Sequence, residues 1–383
     1  MYKKYYQKFL SANVGKQHYA AHSHHYWPDV TFDATVQYWN DSAKFVDDKW
    51  NYFFTEKIPR AQKLIANILK LSEPSQIVFA PNTHEFVHRL LSCFSADKTV
   101  RILTTDSEFY SFERQVNRLT EDGSVQVTRI ATEPFADFPL RFQKAIQSAD
   151  YDMIFFSQVF FNSGYAIKSM NEIVDAVKTP ETIIIIDGYH SFMALPTDLS
   201  LLDKRVFYMA GSYKYAQGGE GCCFMSVPIG CKLRPSYTGW FASFADLATT
   251  RGQVAYSEDG MRFAGSTMDF SALYRLLAVL ELFEKENLTV EIIHTYIKKL
   301  QTNFRLQLES SPEPLLSNAN ILHHDWQHHG HFYAFELKDV AVAKRICDDL
   351  ATKNIKTDYR QSRLRFGFGL YQDELINFKE WKL

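Results

Sequence analysis

No run in this 383-residue chain approaches the 18 or so apolar residues that a membrane-spanning helix needs. The opening residues, MYKKYYQKFL, lack the apolar centre of a signal peptide, so a soluble, cytoplasmic placement is expected. No block of like charge occurs either. The 42 Lys and Arg nearly balance the 44 Asp and Glu, and the net charge of −2 speaks against nucleic acid or an anionic membrane as partner. Cysteine is scarce: five residues, an odd number without framework spacing, read as reduced thiols. No G-x-G-x-x-G follows the first expected strand, which removes support for a dinucleotide site. Gly218, Gly219 and Gly221 come after their lysine, not before it, so a Walker loop is excluded as well. What the chain has in quantity is aromatic rings, 31 Phe and 21 Tyr, enough for a filled core and an aromatic-lined site. Its length exceeds one ordinary core, so a larger and a smaller domain are expected.

The organising stretch runs from Thr182 to Gly221. Four consecutive isoleucines, Ile183 to Ile186, are too short a run for a buried helix and fit a strand covered on both faces of a parallel sheet. The run stops at Asp187, where the carboxyl end of a strand in an open α/β sheet meets ligands. His190 follows three residues later. A second apolar strand, Arg205 to Ala210, delivers Gly211, Ser212, Tyr213 and Lys214. Two neighbouring strands would then aim an acid, an imidazole, a phenol and an amine at one crevice. Pyridoxal phosphate needs that set: a lysine for the Schiff base, and an acid that keeps the pyridine nitrogen protonated.

The D-x-x-H of Asp187 and His190, the S-Y-K-Y of Ser212 to Tyr215 with glycines behind it, and the G-W-F of Gly239 to Phe241 carry a resemblance. Over residues 20 to 371 the chain resembles the class V aminotransferases, fold type I pyridoxal phosphate enzymes, and among them the kynureninase branch. The resemblance implies a mostly parallel central sheet in a large domain and a smaller α+β C-terminal domain. Residues 1–55 would form an N-terminal arm and part of the small domain, 56–270 the large domain, and 271–383 the small one. It also implies roles. Lys214 would form the Schiff base and act as base and acid, Asp187 would hold the ring nitrogen, and His190 would contact the ring hydroxyl side. Thr83 and His84, with Tyr213, would sit at the phosphate, and Ser212 would be a further cofactor-binding residue. Phe109 would stack on the ring, with Tyr110 as the fallback, and Asn162 would supply a polar ring contact. Trp240 would line the substrate side. Thr267 would complete the site of a second copy in a homodimer. Arg365, six residues before Tyr371, would grip the substrate α-carboxylate, with Arg363 as the runner-up.

Around this centre the periodicity predicts a helix from Pro59 to Leu71, a strand from Gln76 to Ala80, and a helix opening near His84 with Thr83 as its N-cap. Such a helix start offers free N–H groups to an anion. Further helices are expected at Ser271–Glu286, Val290–Leu308 and Val340–Asn354, and strands at His331–Leu337 and Arg363–Phe368. Two histidine clusters, His22, His24 and His25, and His323 to His331, invite a metal reading. The first has no Cys or carboxylate partner at ligand spacing and the second lies in a loop far from Lys214, so no metal is expected.

The expected activity is conversion of an α-amino acid, with transamination ahead of kynureninase-like Cβ–Cγ cleavage, because Thr267 stands where that branch carries Asn. Cysteine desulfuration needs a nucleophilic Cys shortly before Arg365, and Thr357 to Gln361 hold none. Retention of Lys214 and Asp187 argues against a non-catalytic relative.

Overall fold

The computed structural model describes residues 2–246, 252–309, 311 and 313–373. Its strands, in chain order, are β1 (Gln17–His18), β2 (Ile77–Ala80), β3 (Val100–Thr105), β4 (Val125–Ile130), β5 (Met153–Ser157) and β6 (Ile183–Asp187). After them come β7 (Val206–Gly211), β8 (Cys223–Ser226), β9 (Phe332–Glu336), β10 (Ile355–Lys356), β11 (Asp358–Arg360) and β12 (Arg363–Gly367).

Seven strands form one sheet in the order β2-β8-β7-β6-β5-β3-β4. The five strands from β7 to β4 run parallel, while β8 is antiparallel to both of its neighbours. The sheet is thus mostly parallel, as the alternation of strands and helices predicts. Ile183 to Ile186 are all buried, and β6 ends at Asp187. Strand β4 was not foreseen: only Val125 is buried along it, as befits the edge of the sheet.

A three-stranded antiparallel sheet, β11-β12-β9, stands apart from the first. The N-terminal segment joins it. β1 pairs with β10, and Ala20 bridges to Gly367. The expected helices are present at Ile58–Leu69, Ser271–Lys285, Val290–Leu308 and Val340–Thr352. Thr289 and Asp339 cap the last two by accepting the N–H groups of Ile292 and Val342. Helices at Val30–Phe45 and Phe138–Ser148 had no sequence forecast. Among the described residues no helix is long and apolar enough to cross a membrane.

Candidate active site

The carboxyl ends of β6 and β7 lie side by side, with Asp187 in register with Met209. Gly188 and Gly211 make that closeness workable. A Cβ on Gly188 would stand 2.0 Å from the Tyr208 Oη, and one on Gly211 would stand 2.0 Å from the Tyr189 Oη. Each strand end therefore gives up a side chain so that the other's tyrosine can cross over it.

Asp187 accepts the Tyr189 N–H at 2.8 Å. Burial raises its pKa, against the opposing pull of that N–H and of the Lys214 charge. Lys214 is 5% exposed. Its Nζ lies 2.7 Å from His190 Nε2, 4.6 Å from the centre of the Tyr189 ring and 5.4 Å from that of Phe109. Burial lowers the amine to about 7; Asp187 opposes the shift, and Arg365 and Arg360 add to it. Burial, with the Lys214 charge behind it, also holds the His190 pKa well below the usual value. The imidazole is therefore neutral, and its Nδ1 is buried with no partner among the described residues.

Thr83, His84, Phe109, Asp187, His190, Tyr213 and Lys214 line one cavity of about 230 Å³. Five expected residues lie outside its wall. Ser212 is buried, its hydroxyl donating to the Gly219 carbonyl, and so closes the turn after Lys214. Gln217, Gly219 and Gly221 carry the positive φ values of that turn. Asn162 donates to Ser107 Oγ at 3.1 Å and leaves its own carbonyl oxygen buried without a partner among the described residues. Trp240 Nε1 donates to Thr267 Oγ1 at 3.1 Å, so these two form a pair of their own, with Thr267 exposed. Arg365 sits behind the wall, its Nη1 donating to the carbonyl of the wall residue Phe161 at 2.5 Å. Arg363, the runner-up, is engaged by Glu336 and Glu133.

One expectation needs correction. Asn82, not Thr83, is the N-cap of the Thr83–Leu91 helix: it is extended (φ −159°, ψ 164°) and its amide oxygen accepts the Glu85 N–H at 3.0 Å. Thr83 is the first helical residue, so its N–H and that of His84 belong to the first turn, where no intrahelical acceptor exists.

The sequence reading missed three participants. Glu108, 2% exposed, receives Thr105 Oγ1 at 2.7 Å and both the N–H and the hydroxyl of Ser157. Burial pushes it up to about 8, with Ser157 and Thr105 opposing and the Asp187 charge adding to the rise. Its place in the turn just beyond β3, beside the Ser that ends β5, was a usable signal. Tyr189 and Phe161 were missed because neighbours in sequence with clearer chemistry drew attention. Of the histidine clusters, His22 joins Asp358 at 2.8 Å, and His294 joins His331 at 2.9 Å. Among the described residues no three His, Cys, Asp or Glu side chains group closely enough to hold a metal ion.

An amine of lowered pKa, a carboxylate, a neutral imidazole and a helix start around one cavity make a donor set that fits pyridoxal phosphate. His190 Nδ1, unpartnered among the described residues, is free to meet a polar group of the cofactor. The family model for aminotransferase class V matches residues 21–372. The chain belongs to the class V aminotransferases. Members of this family use pyridoxal phosphate, and the class V fold is shared by solved structures of low identity. A C-DES variant with glycine covalently linked to its pyridoxal phosphate aligns with a TM-score of 0.79 at 16% identity, covering 98% of this chain and 96% of that one. The cystine C–S lyase C-DES in complex with cysteine persulfide gives 0.78 at 16%, covering 97% of each. The cysteine desulfurase of Thermococcus onnurineus NA1 gives 0.76 at 15%, covering 97% of this chain and 93% of its own. No curated protein matches the chain.

Proposed function

We propose that this class V enzyme acts on an α-amino acid as an aminotransferase. The observation that carries the reading is the buried Lys214 amine, lowered to about 7 and placed 2.7 Å from a neutral His190 in a cavity floored by Asp187. Pyridoxal phosphate, when bound, supplies an electron sink that makes the proton on the amino acid's Cα removable.

The residues divide the remaining work. Asp187 would hold the ring nitrogen, and its raised pKa reflects a carboxylate buried without a full cationic partner. Phe109 would cover the ring face, and His190 and Asn162 have unpartnered buried atoms for the ring's polar edge. The N–H groups of Thr83 and His84 at the helix start, with Tyr213, would hold the phosphate. Burial that lowers the Lys214 amine favours its neutral form, so that one atom would take the Cα proton and return it elsewhere. Arg365 would bind the substrate carboxylate. Thr267, exposed and holding the Trp240 Nε1–H, would complete the site of a second copy in a homodimer, and Trp240 would line the substrate side.

Kynureninase-like cleavage of an aromatic amino acid is the second reading. It is favoured by the aromatic wall at the cavity, where Phe161 meets Phe109 edge-on at 5.4 Å and Tyr110 at 5.3 Å.

The test is reconstitution with pyridoxal phosphate followed by an amino-acid screen. A band at roughly 410–430 nm that Lys214→Ala abolishes is expected of cofactor held in this way. Transamination would yield a keto acid, in an amount equal to the bound cofactor when no second substrate is added. A fragment of the substrate side chain as product would instead select the cleavage reading, and a protein that takes up no cofactor would end both.

A further inference from the structure

Arg365, the residue assigned to the substrate carboxylate, already holds one. Asp358 lies directly across from it in the β11–β12 register. Arg365 Nε donates to Asp358 Oδ1 at 2.9 Å and Nη2 to Oδ2 at 2.5 Å, a two-point pair along one edge of the guanidinium. With the Phe161 carbonyl on Nη1, all three nitrogens of Arg365 have protein acceptors, and the residue is 2% exposed. Burial alone would raise the Asp358 pKa, but the charges and hydrogen bonds of His22 and Arg365 outweigh it and keep the carboxyl ionised.

A second carboxylate brought to this guanidinium would set two anions against one cation in a buried place. Like charges so placed repel strongly. The neighbourhood offers a way out. Arg360 Nη2 stands 3.7 Å from Asp358 Oδ2, and among the described residues its guanidinium otherwise donates from Nη1 to the Tyr359 carbonyl at 2.8 Å. Its side chain is 36% exposed. His22 Nε2 already holds Asp358 Oδ1. Asp358 can therefore leave Arg365 for Arg360 while His22 keeps its grip, and each anion then faces its own cation.

We propose that Asp358 is a resident carboxylate that the substrate's carboxylate displaces from Arg365, with Arg360 receiving it. Asp358 and Arg360 then set the affinity for carboxylates with opposite signs, although neither touches the ligand. The idea rests on the reading of Arg365 as the carboxylate grip.

Calorimetry with 3-phenylpropionate, a carboxylate with no amine to condense, on the pyridoxal phosphate-loaded protein separates the cases. Asp358→Asn removes the competing charge and tightens binding about tenfold, whereas Arg360→Gln weakens it about fivefold. In the Asp358→Asn background, Arg360→Gln changes binding less than about twofold, because the residue it serves is gone. Weaker binding in Asp358→Asn would mean that Asp358 only orients Arg365, and an undiminished Arg360→Gln effect in the double variant would mean that Arg360 binds the ligand itself. Either overturns the proposal. Arg365→Lys examines the reading beneath: binding equal to the native protein's would place the ligand elsewhere and remove both. Should Asp358→Asn fail to fold, the native structure with 3-phenylpropionate decides. Asp358 paired with Arg360 supports the exchange, and Asp358 still paired with Arg365 beside bound ligand overturns it.

Discussion

Two buried cations in this enzyme live under opposite conditions. Lys214 sits in a cavity with a neutral histidine at 2.7 Å and no carboxylate in contact, and its amine is lowered to about 7. Arg365, equally buried, has its three nitrogens matched by a carboxylate and a carbonyl. The first arrangement tolerates unfavourable burial in exchange for a reactive lone pair. The second spends its hydrogen bonds on itself and must give some up to bind anything. Poised and saturated sites are thus told apart by what remains unpaired, and substitution at each should move stability in opposite directions.

The largest effect should follow Lys214→Ala, with activity down by at least about 10³-fold and no cofactor absorbance, since the proposed covalent anchor and proton carrier would be lost together. Next comes stability at the saturated site. Arg365→Met leaves the part-buried Asp358 carboxylate to His22 and Arg360 without its two-point partner, and should cost about 3 kcal/mol in urea unfolding of the apoprotein. A cost below about 1 kcal/mol would break the comparison. Lys214→Met should do the reverse and stabilise the apoprotein by about 1–3 kcal/mol near pH 6. The native amine titrates near 7 and the unfolded one near 10.5, so the unfolded chain binds more protons between those values and native stability rises with pH across them. The advantage of Lys214→Met should shrink over that window, and a pH-independent difference would show that the amine is not strained. The smallest effect belongs to Glu108. Its folded pKa of about 8 lies above the ordinary 4.5, so native stability falls as pH rises between them. Glu108→Gln should remove that fall, a gain of about 1 kcal/mol at pH 9 that vanishes at pH 4.

Local pattern carried much of the architecture. Four isoleucines and an aspartate defined β6 to the residue, and the Val290–Leu308 helix follows from its apolar spacing and Thr289 cap. The chemistry-bearing residues that follow strands β6 and β7 were legible because a strand end is a fixed address. What escaped depends on partners far away in the chain or on choices between adjacent residues. β4 shows little apolar burial and exists by pairing with β3. Asn82 outcompetes Thr83 as the cap because its amide oxygen reaches Glu85 from an extended backbone. The Asp358–Arg365 pair follows from a hairpin register that no single-strand pattern announces, and Trp240 and Thr267 face each other outside the cavity. The resemblance named their positions without their contacts.

The reciprocal crossing of Tyr189 and Tyr208 over Gly211 and Gly188 has an evolutionary corollary. Neither glycine can drift while the opposite ring stays, so the four positions form one heritable block. Among relatives, a bulkier residue at 211 should be found only alongside a smaller one at 189, and likewise for 188 and 208. A library that randomises one of these positions alone would return little but the starting residue.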